Sequence, residues 1–312
     1  MLAVYKTISD VLVNLDHFEA GAWINLVNPD EAELLRISGE LGVDTGYLKS
    51  ALDEEERARI EHDNEQFLIT VDIPVIDREN GSDMYSTIPL GIILLKESII
   101  TVCLRENTVI KEFTESKVKT FHTDYKTRFV LQILYRNAVQ YLQYLKYIDK
   151  ASSRIESDLH KSMKNKELIQ LLRLEKSLVY FSTPLKANEI VLENLLKHEK
   201  IKMYPDDTDL LEDVIIENKQ AIEMATIYSS ILTGIMGAFA SVISNNVSIV
   251  MKFLASITIV MAIPTMVASF FGMNVLIPFR LSDNPFAFVI VLGTAVILSG
   301  FSAFLLARRK MF

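Results

Sequence analysis

The chain holds one cysteine in 312 residues, Cys103. A single thiol excludes an intrachain disulfide framework and a cysteine-rich zinc site. It lies in Ile99-Ile100-Thr101-Val102-Cys103-Leu104, an apolar β-branched run that reads as a strand with a buried thiol rather than a nucleophile. Histidine is also scarce: five are scattered along the chain, without the spacing of a metal site. Neither a glycine-rich phosphate loop nor a nucleophile-and-base constellation is present, so enzyme chemistry is not expected. The opening residues Met1-Leu2-Ala3-Val4-Tyr5-Lys6 lack a basic stretch followed by a long apolar one, so no cleaved signal peptide is expected and the polar part reads as cytosolic.

Basic charge is the next shortage. The formal net charge is −8, but the average hides an asymmetry. From residue 252 onward five side chains are basic (Lys252, Arg280, Arg308, Arg309, Lys310) and Asp283 alone is acidic. Residues 1–251 are left with 27 basic and 39 acidic groups, a net −12. Such a surface repels nucleic acid and anionic lipid and concentrates cations, so no nucleic-acid partner is expected.

Long uncharged runs, by contrast, are plentiful at the C-terminal end. Residues 253–271 and 284–307 carry no charge, and each is long enough to cross a bilayer as a helix, which takes roughly 20 residues. Between them lies Gly272-Met273-Asn274, a tight polar tripeptide at the mouth of a two-helix hairpin, suited to passing an ion between water and a pore. Lys252 and the tail Arg308-Arg309-Lys310 flank the spans on one side. The positive-inside rule therefore places both termini in the cytoplasm and the hairpin tip outside. A further uncharged run, 224–251, imitates a third span. It is rich in Ser, Asn and Gly, and a third crossing would export the acidic domain or the basic tail. One continuous helix over 210–271 is the preferred reading.

Upstream, residues 1–104 alternate strand-like and short helical patterns. Ala22 to Val27, 66–76, 88–95 and 99–104 read as strands, with Lys96-Glu97-Ser98 as a hairpin turn and Asn80-Gly81-Ser82-Asp83 as a loop. Asn28-Pro29-Asp30-Glu31 opens a helix. From about Asn107 the period becomes helical, and Leu131, Leu134, Ala138, Tyr141, Leu145, Ile148, Ser152, Ile155, Leu159 and Met163 mark one long face typical of a stalk or coiled coil. The acidic stretch Pro205-Asp206-Asp207-Thr208-Asp209 lacks the glycine and closing glutamate of a calcium loop and reads as a solvated helix connection. The expected architecture is an α+β membrane protein. It comprises an α/β cytosolic domain (1–125), helical stalk segments (126–209), a long helix (210–271) whose last part, about 250–271, is the first span, an outer loop (272–284), a second span (285–307) and a basic tail (308–312).

Stepping back from Gly272 by threes and fours reaches Ser269, Thr265, Ala262, Thr258, Ala255, Met251, Ser248, Ser244, Ser241, Gly237, Gly234 and Ser230. All but Met251 are small or hydroxylated, and Leu254 sits beside the line. Two readings stand at this point. Small residues let membrane helices pack closely, or several copies of the helix surround an axis and their hydroxyls line a path for a hydrated ion. Two spans per chain cannot enclose a channel, so the second reading requires an oligomer. Pro264 frees the carbonyl of Val260 and tolerates a local bend.

Gly272-Met273-Asn274 at the end of the first of two C-terminal spans, the Pro264-Thr265 pair before it and the Val250-Met251-Lys252-Phe253-Leu254 opening resemble the CorA-type magnesium transporter family. Ala51-Leu52-Asp53 and Arg59-Ile60-Glu61 are similar to that family's soluble domain. The likeness covers the whole chain in organisation and is specific over about 241–274. It implies a homopentameric, divalent-gated Mg²⁺ channel of the cell membrane, with Gly272, Met273 and Asn274 as selectivity loop. Ser248, Met251, Leu254, Ala255, Thr258, Ala262, Thr265 and Ser269 would line the pore, with Leu254 and Met251 as a hydrophobic constriction. It also implies that Mg²⁺ acts as regulatory ligand at cytosolic carboxylates between subunits. Asp213, 59 residues before Gly272, falls where the helix acid would lie, with Asp77 as its partner. Ser248 and Ala262 depart from the family's usual residues, and the outer loop has a single acid, Asp283, near Arg280. Transport of Zn²⁺, Co²⁺ or Ni²⁺ by the same architecture, and a membrane-tethered cation sensor, remain as alternatives. The seam holds no His or Cys for a soft metal.

Overall fold

Strands β1 (Leu2–Ile8), β2 (Val11–Leu15), β3 (Trp23–Val27), β4 (Arg59–Asp63), β5 (Gln66–Glu79), β6 (Ser82–Leu94) and β7 (Ile99–Cys103) form one mixed sheet in the order β2-β1-β3-β7-β6-β5-β4. Only β3 and β7 pair in parallel; their neighbours are antiparallel. The computed structural model describes every residue except 64, 80–81, 119, 163–164, 199–200, 202, 274–284 and 310–312. The chain divides into two units, Met1–Ile235 and Met236–Phe312.

Both faces of the sheet are covered, which is why the central strands read as continuous apolar runs rather than alternating ones. On one face α1 (Glu31–Leu41) and α2 (Thr45–Ser50) bring Leu34, Ile37 and Leu48 onto Ile24, Leu26, Ile100 and Val102. On the other, α3 (Thr108–Thr114) and α4 (Lys126–Ser162) cover Trp23, Ile69, Val71, Ile73 and Ile92. Leu192 and Leu195 of α5 (Asn165–Leu196) and Leu211 and Val214 of α6 (Pro205–Phe271) complete that core. Trp23 is its centre: fully buried, with Phe113, Phe121 and Phe129 edge-on at 5.1–6.5 Å. Its indole N–H donates to Thr101 Oγ1 at 2.8 Å, which removes the one polar cost of burying it.

Local signals set the helix ends. Asp30 and Glu33 form a reciprocal capping box at the start of α1. Gly42 ends that helix with φ +65°, the left-handed conformation glycine adopts without penalty. The expected α4 face is buried at Leu131, Leu134, Ala138, Tyr141, Leu145, Ile148, Ser152 and Leu159, while Met163 lies outside the described residues. Its first half belongs to the sheet core rather than to a free stalk. Near its middle it packs on α5, with the Tyr141 and Phe181 rings 5.0 Å apart.

Two readings need correction. Pro205 to Asp209 is not a connection but the first turn of α6. Proline at the first helical position loses no hydrogen bond, and acids there meet the positive end of the helix dipole. Asp207 is buried, accepts from the Tyr204 amide at 3.2 Å and pairs with Arg128 at 3.3 Å. The 80–83 loop is tighter than expected, because Ser82 and Asp83 already belong to β6 and only 80–81, outside the described residues, connect it to β5. Strands β1, β2 and β4 were not anticipated as separate elements.

Beyond Thr70, β5 loses its β4 partner, and before Leu90, β6 has no β7 partner. Residues 72–79 and 82–89 therefore form a two-stranded ribbon with open edges. The edge is clamped where α5 crosses it. Asn188 accepts from the Asp72 amide at 2.9 Å and donates to the Asp72 carbonyl at 2.8 Å, and Asn137 and Tyr141 donate to the same carbonyl. Pro74 presents no edge donor, a common protection against strand addition. The Asp72 carboxyl is largely withdrawn from water, and burial pushes its pKa up to about 6.

Candidate functional site

The second unit holds the C-terminal part of α6 and α7 (Ala287–Arg308), the two helices long and apolar enough to cross a membrane. At 22 residues α7 extends about 33 Å, close to the thickness of a hydrocarbon core. Large apolar side chains stand uncovered along both, among them Phe253, Ile259, Met261, Met266, Phe270, Phe288, Ile297 and Phe304. So many uncovered large apolar side chains in succession, with no charge among them from 253 to 271, suit a lipid-facing surface.

Between 250 and 271, α6 has two buried side chains, Ser256 and Val267, with Ile257, Val260 and Ile263 half-buried between them. On α7 the least exposed line is Ala287, Val291, Ala295 and Ser299, small residues one turn apart. These lines mark the faces the two helices turn toward each other.

At 100° per residue, Ser256, Val260, Ile263 and Val267 cluster within about 60° of arc, while Met251, Thr258, Ala262, Thr265 and Ser269 cluster roughly opposite. Ser248, Met251, Leu254, Ala255, Thr258, Ala262, Thr265 and Ser269 are all exposed in the single chain. The seam therefore does not serve packing against α7. That use belongs to the other side of the helix.

Four seam hydroxyls, those of Ser241, Ser248, Thr258 and Thr265, share one orientation. Ser248 Oγ donates to the Ser244 carbonyl at 3.0 Å, Thr258 Oγ1 to Leu254 at 2.8 Å and Thr265 Oγ1 to Met261 at 3.4 Å. Ser241 does the same to Gly237 at 3.0 Å. Each proton is returned to the helix backbone, one turn back. What remains outward is oxygen lone pairs, so the face accepts hydrogen bonds without offering them. The waters around a cation point their protons outward and are complementary to it.

The helix ends by tightening. The Gly272 amide donates to the Ala268 carbonyl at 2.9 Å and the Met273 amide to Phe270 at 3.4 Å. A Cβ on Gly272 would stand 3.2 Å from the Ala268 carbonyl oxygen of its own last turn, a tight contact. Gly272 and Met273 are exposed. Asn274 lies outside the described residues, as do Arg280 and Asp283.

The two sensor candidates are not brought together within the chain. Asp77, on the β5 ribbon, pairs with Arg105 at 2.5 Å and accepts from the Ser86 hydroxyl. The Arg105 hydrogen bond holds its carboxyl below the usual carboxylate range. Asp213 is exposed on α6 and forms no ion pair among the described residues. Among the described residues no group of three or more His, Cys, Asp or Glu side chains is placed to hold a metal. The Arg105 partner was missed because 28 residues separate it from Asp77, and only the sheet joins them. Cys103 is fully buried and burial pushes its thiol up to about 12, as an inert strand cysteine requires.

The family model described as CorA-like Mg²⁺ transporter protein matches residues 18–309. The chain is 27% identical over 291 residues to the cobalt/magnesium transport protein CorA of Methanocaldococcus jannaschii, covering 88% of this chain and 86% of that protein. It is 23% identical over 319 residues to the magnesium transport protein CorA of Campylobacter jejuni, covering 95% of each. The complete structure of the Methanocaldococcus jannaschii CorA magnesium transporter superposes with a TM-score of 0.85 at 25% identity, over 98% of this chain and 96% of that one.

Proposed function

The chain belongs to the CorA-like Mg²⁺ transporter family, and we propose that it conducts hydrated Mg²⁺ inward as a homopentameric, divalent-gated channel of the cell membrane. The observation that carries this reading is the outward, acceptor-only seam of α6, set on the face opposite α7. A lone two-helix anchor has no use for a polar line on its uncovered side. Copies arranged with their seams around an axis would enclose a column of hydroxyl oxygens at Ser248, Thr258, Thr265 and Ser269.

Mg²⁺ gives up its water reluctantly. Oxygens that accept from the hydration shell let the ion pass with its waters retained, at little dehydration cost. Gly272, Met273 and Asn274 would form the outer selectivity loop, the Asn274 amide oxygen and nearby carbonyls receiving the same waters. Met251 and Leu254 would form a ring able to close the path by excluding water. The excess of acid over base in residues 1–251 attracts cations to the inner mouth. A cation at Asp213 would bridge subunits that otherwise repel, and its loss would open the assembly. Asp77 can join only where Arg105 releases it, because the guanidinium already neutralises that carboxylate. Both termini are assigned to the cytoplasm.

Cobalt is the second cargo to weigh, since one relative is described as a cobalt/magnesium transport protein. The seam offers oxygen and no imidazole or thiolate, which suits a hard cation and does not retain a borderline one.

The test is uptake into proteoliposomes that hold a Mg²⁺-sensitive dye, under an inside-negative potential. Wild type is expected to give potential-driven influx and Asn274→Ala to lose it. Reconstituted wild type that moves no Mg²⁺ would overturn the reading; Co²⁺ and Zn²⁺ in the same assay then separate another cargo from a sensor that conducts nothing.

A further inference from the structure

Near the edge of the sheet one position is left unfilled. β1 and β3 pair antiparallel with Tyr5 opposite Trp23 and Ala3 opposite Asn25, and residues directly opposite share a face. Tyr5 and Trp23 fill their place, with rings 5.1 Å apart. Ala3 is too small to fill the next. A cavity of about 190 Å³ remains over Asn25, walled by Ala3, Tyr5, Val27 and, from α3, Ile110. At roughly 30 Å³ per molecule it has room for about six waters. It is smaller than the ~300 Å³ at which drug-sized sites begin.

Asn25 lines this cavity and is only 8% exposed. A chain of hydrogen bonds decides which end of its amide faces inward. The Trp23 indole can only donate, and it donates to Thr101 Oγ1 at 2.8 Å. Thr101 gives its own proton to Asn25 Oδ1 at 2.9 Å. The amide oxygen is therefore held toward Thr101 and the nitrogen is turned away from it. Asn25 Nδ2 donates to nothing among the described residues, and it opens to the cavity instead of being sealed in protein. A buried donor without an acceptor is costly, which marks the place where an acceptor belongs. Asn107, a second amide on the wall, is committed at both atoms: Oδ1 accepts from the Ile110 amide at 2.9 Å and Nδ2 donates to Cys103 Sγ at 3.4 Å.

Charge enters at the rim. Lys111 and Glu115 pair with each other at 3.7 Å, and the Met1 amino group pairs with Glu33 at 3.1 Å. Glu106, also on the lining, has no ion-pair partner among the described residues. We propose that the cavity binds a small organic cation carrying a neutral carbonyl. The carbonyl oxygen accepts from Asn25 Nδ2, an apolar body lies against Val27, Ile110 and the Tyr5 ring, and the ammonium faces Glu106. A carboxylate suits the floor less well than a carbonyl, because the donor there is neutral and the buried charge would go uncompensated. The site lies wholly within the first unit and does not rest on the channel reading.

The test compares two ligands on the full chain in detergent by saturation-transfer NMR. L-Leucinamide has an ammonium, an isobutyl group and a carboxamide; isoamylamine keeps the first two and lacks the carbonyl. L-Leucinamide is expected to bind saturably, on the order of millimolar for so small a molecule. Isoamylamine should bind about tenfold more weakly, the loss of one hydrogen bond. Ala3→Ile fills the cavity with a strand-favouring side chain and should abolish binding of both. Asn25→Leu should lower L-leucinamide to the level of isoamylamine, and Glu106→Gln should weaken it about two- to fourfold. Emission of Trp23, the only tryptophan, checks that each variant keeps the wild-type core. No saturable transfer in wild type, or transfer undiminished in Ala3→Ile, overturns the site. Equal affinity of the two ligands for wild type overturns the role of Asn25, and that comparison needs no variant to fold. Undiminished binding to Glu106→Gln overturns the assignment of the ammonium.

Discussion

Toward its start α6 buries Leu211, Val214, Ala221 and Ala225 and shows Asp213, Lys219 and Glu223 to the outside. Between 250 and 271 the same helix leaves Leu254, Ile259, Met266 and Phe270 uncovered and hides Ser256 and Val267. One continuous helix thus follows two opposite burial rules. Next to water the hydrophobic effect selects which face turns inward. In a bilayer the surroundings are as apolar as leucine, and packing selects small residues for the helix contact instead. The change of rule along a single element locates the change of solvent, and it leaves the polar seam needing a purpose that is neither core nor lipid contact.

Breaking the water-side rule should have the largest effect. Trp23→Ala removes the centre of an aromatic cluster and leaves Thr101 without its donor, so a loss of about 3–5 kcal/mol is expected in urea titration of the soluble unit's fluorescence or circular dichroism. Next comes a pair of like substitutions on exposed residues at the two ends. Ile259→Lys places a charge on the lipid side, and an insertion cost of roughly 2.5–3.5 kcal/mol should appear as reduced membrane integration. Leu35→Lys, on an exposed apolar residue of α1, should shift unfolding by less than about 0.5 kcal/mol. Equal effects at both sites would remove the inversion of rules.

A smaller effect belongs to Asp72. Its carboxyl titrates near 6 in the folded chain against an ordinary 3.8, because burial disfavours the charged form. The folded state therefore holds the proton more tightly. The associated stability is fully present below about pH 4 and is lost as pH rises through about 6. Asp72→Asn should stabilise the soluble unit at pH 7 by about 1–2 kcal/mol, and the gain should vanish by pH 4 when urea midpoints are compared. A change of about the same size is expected on the seam. Thr265→Val keeps shape and removes the oxygen acceptor, and should lower Mg²⁺ flux several-fold, equivalent to about 1 kcal/mol, with assembly unaltered on native mass spectrometry.

Legibility followed the range of the interactions. The strands at 22–27, 66–76 and 99–104 were readable because burial on both faces leaves near-continuous apolar runs. β1, β2 and β4 were not, since Lys6, Asn14 and His62 interrupt short segments at or next to the sheet edges that become strands only through their neighbours. The Pro205 turn looked like a loop because its acids suggest solvent; only the fold supplies Arg128 to one of them. On the seam, the residue types and spacing were visible, while the direction of each hydroxyl and the side of the helix facing α7 were not.

The amino-acid sequence by itself determined the two spans, their small-residue and hydroxyl periodicity, the Gly-Met-Asn end and the acidic bias of the remainder. These are properties of composition and period, which act within a few turns of one helix. Tertiary structure alone decided that the seam faces away from α7, that Asp77 is held by Arg105, and that Asp72 is desolvated beneath the α5 clamp. Those outcomes depend on which distant segments meet, and a residue's own neighbours in the chain do not specify them.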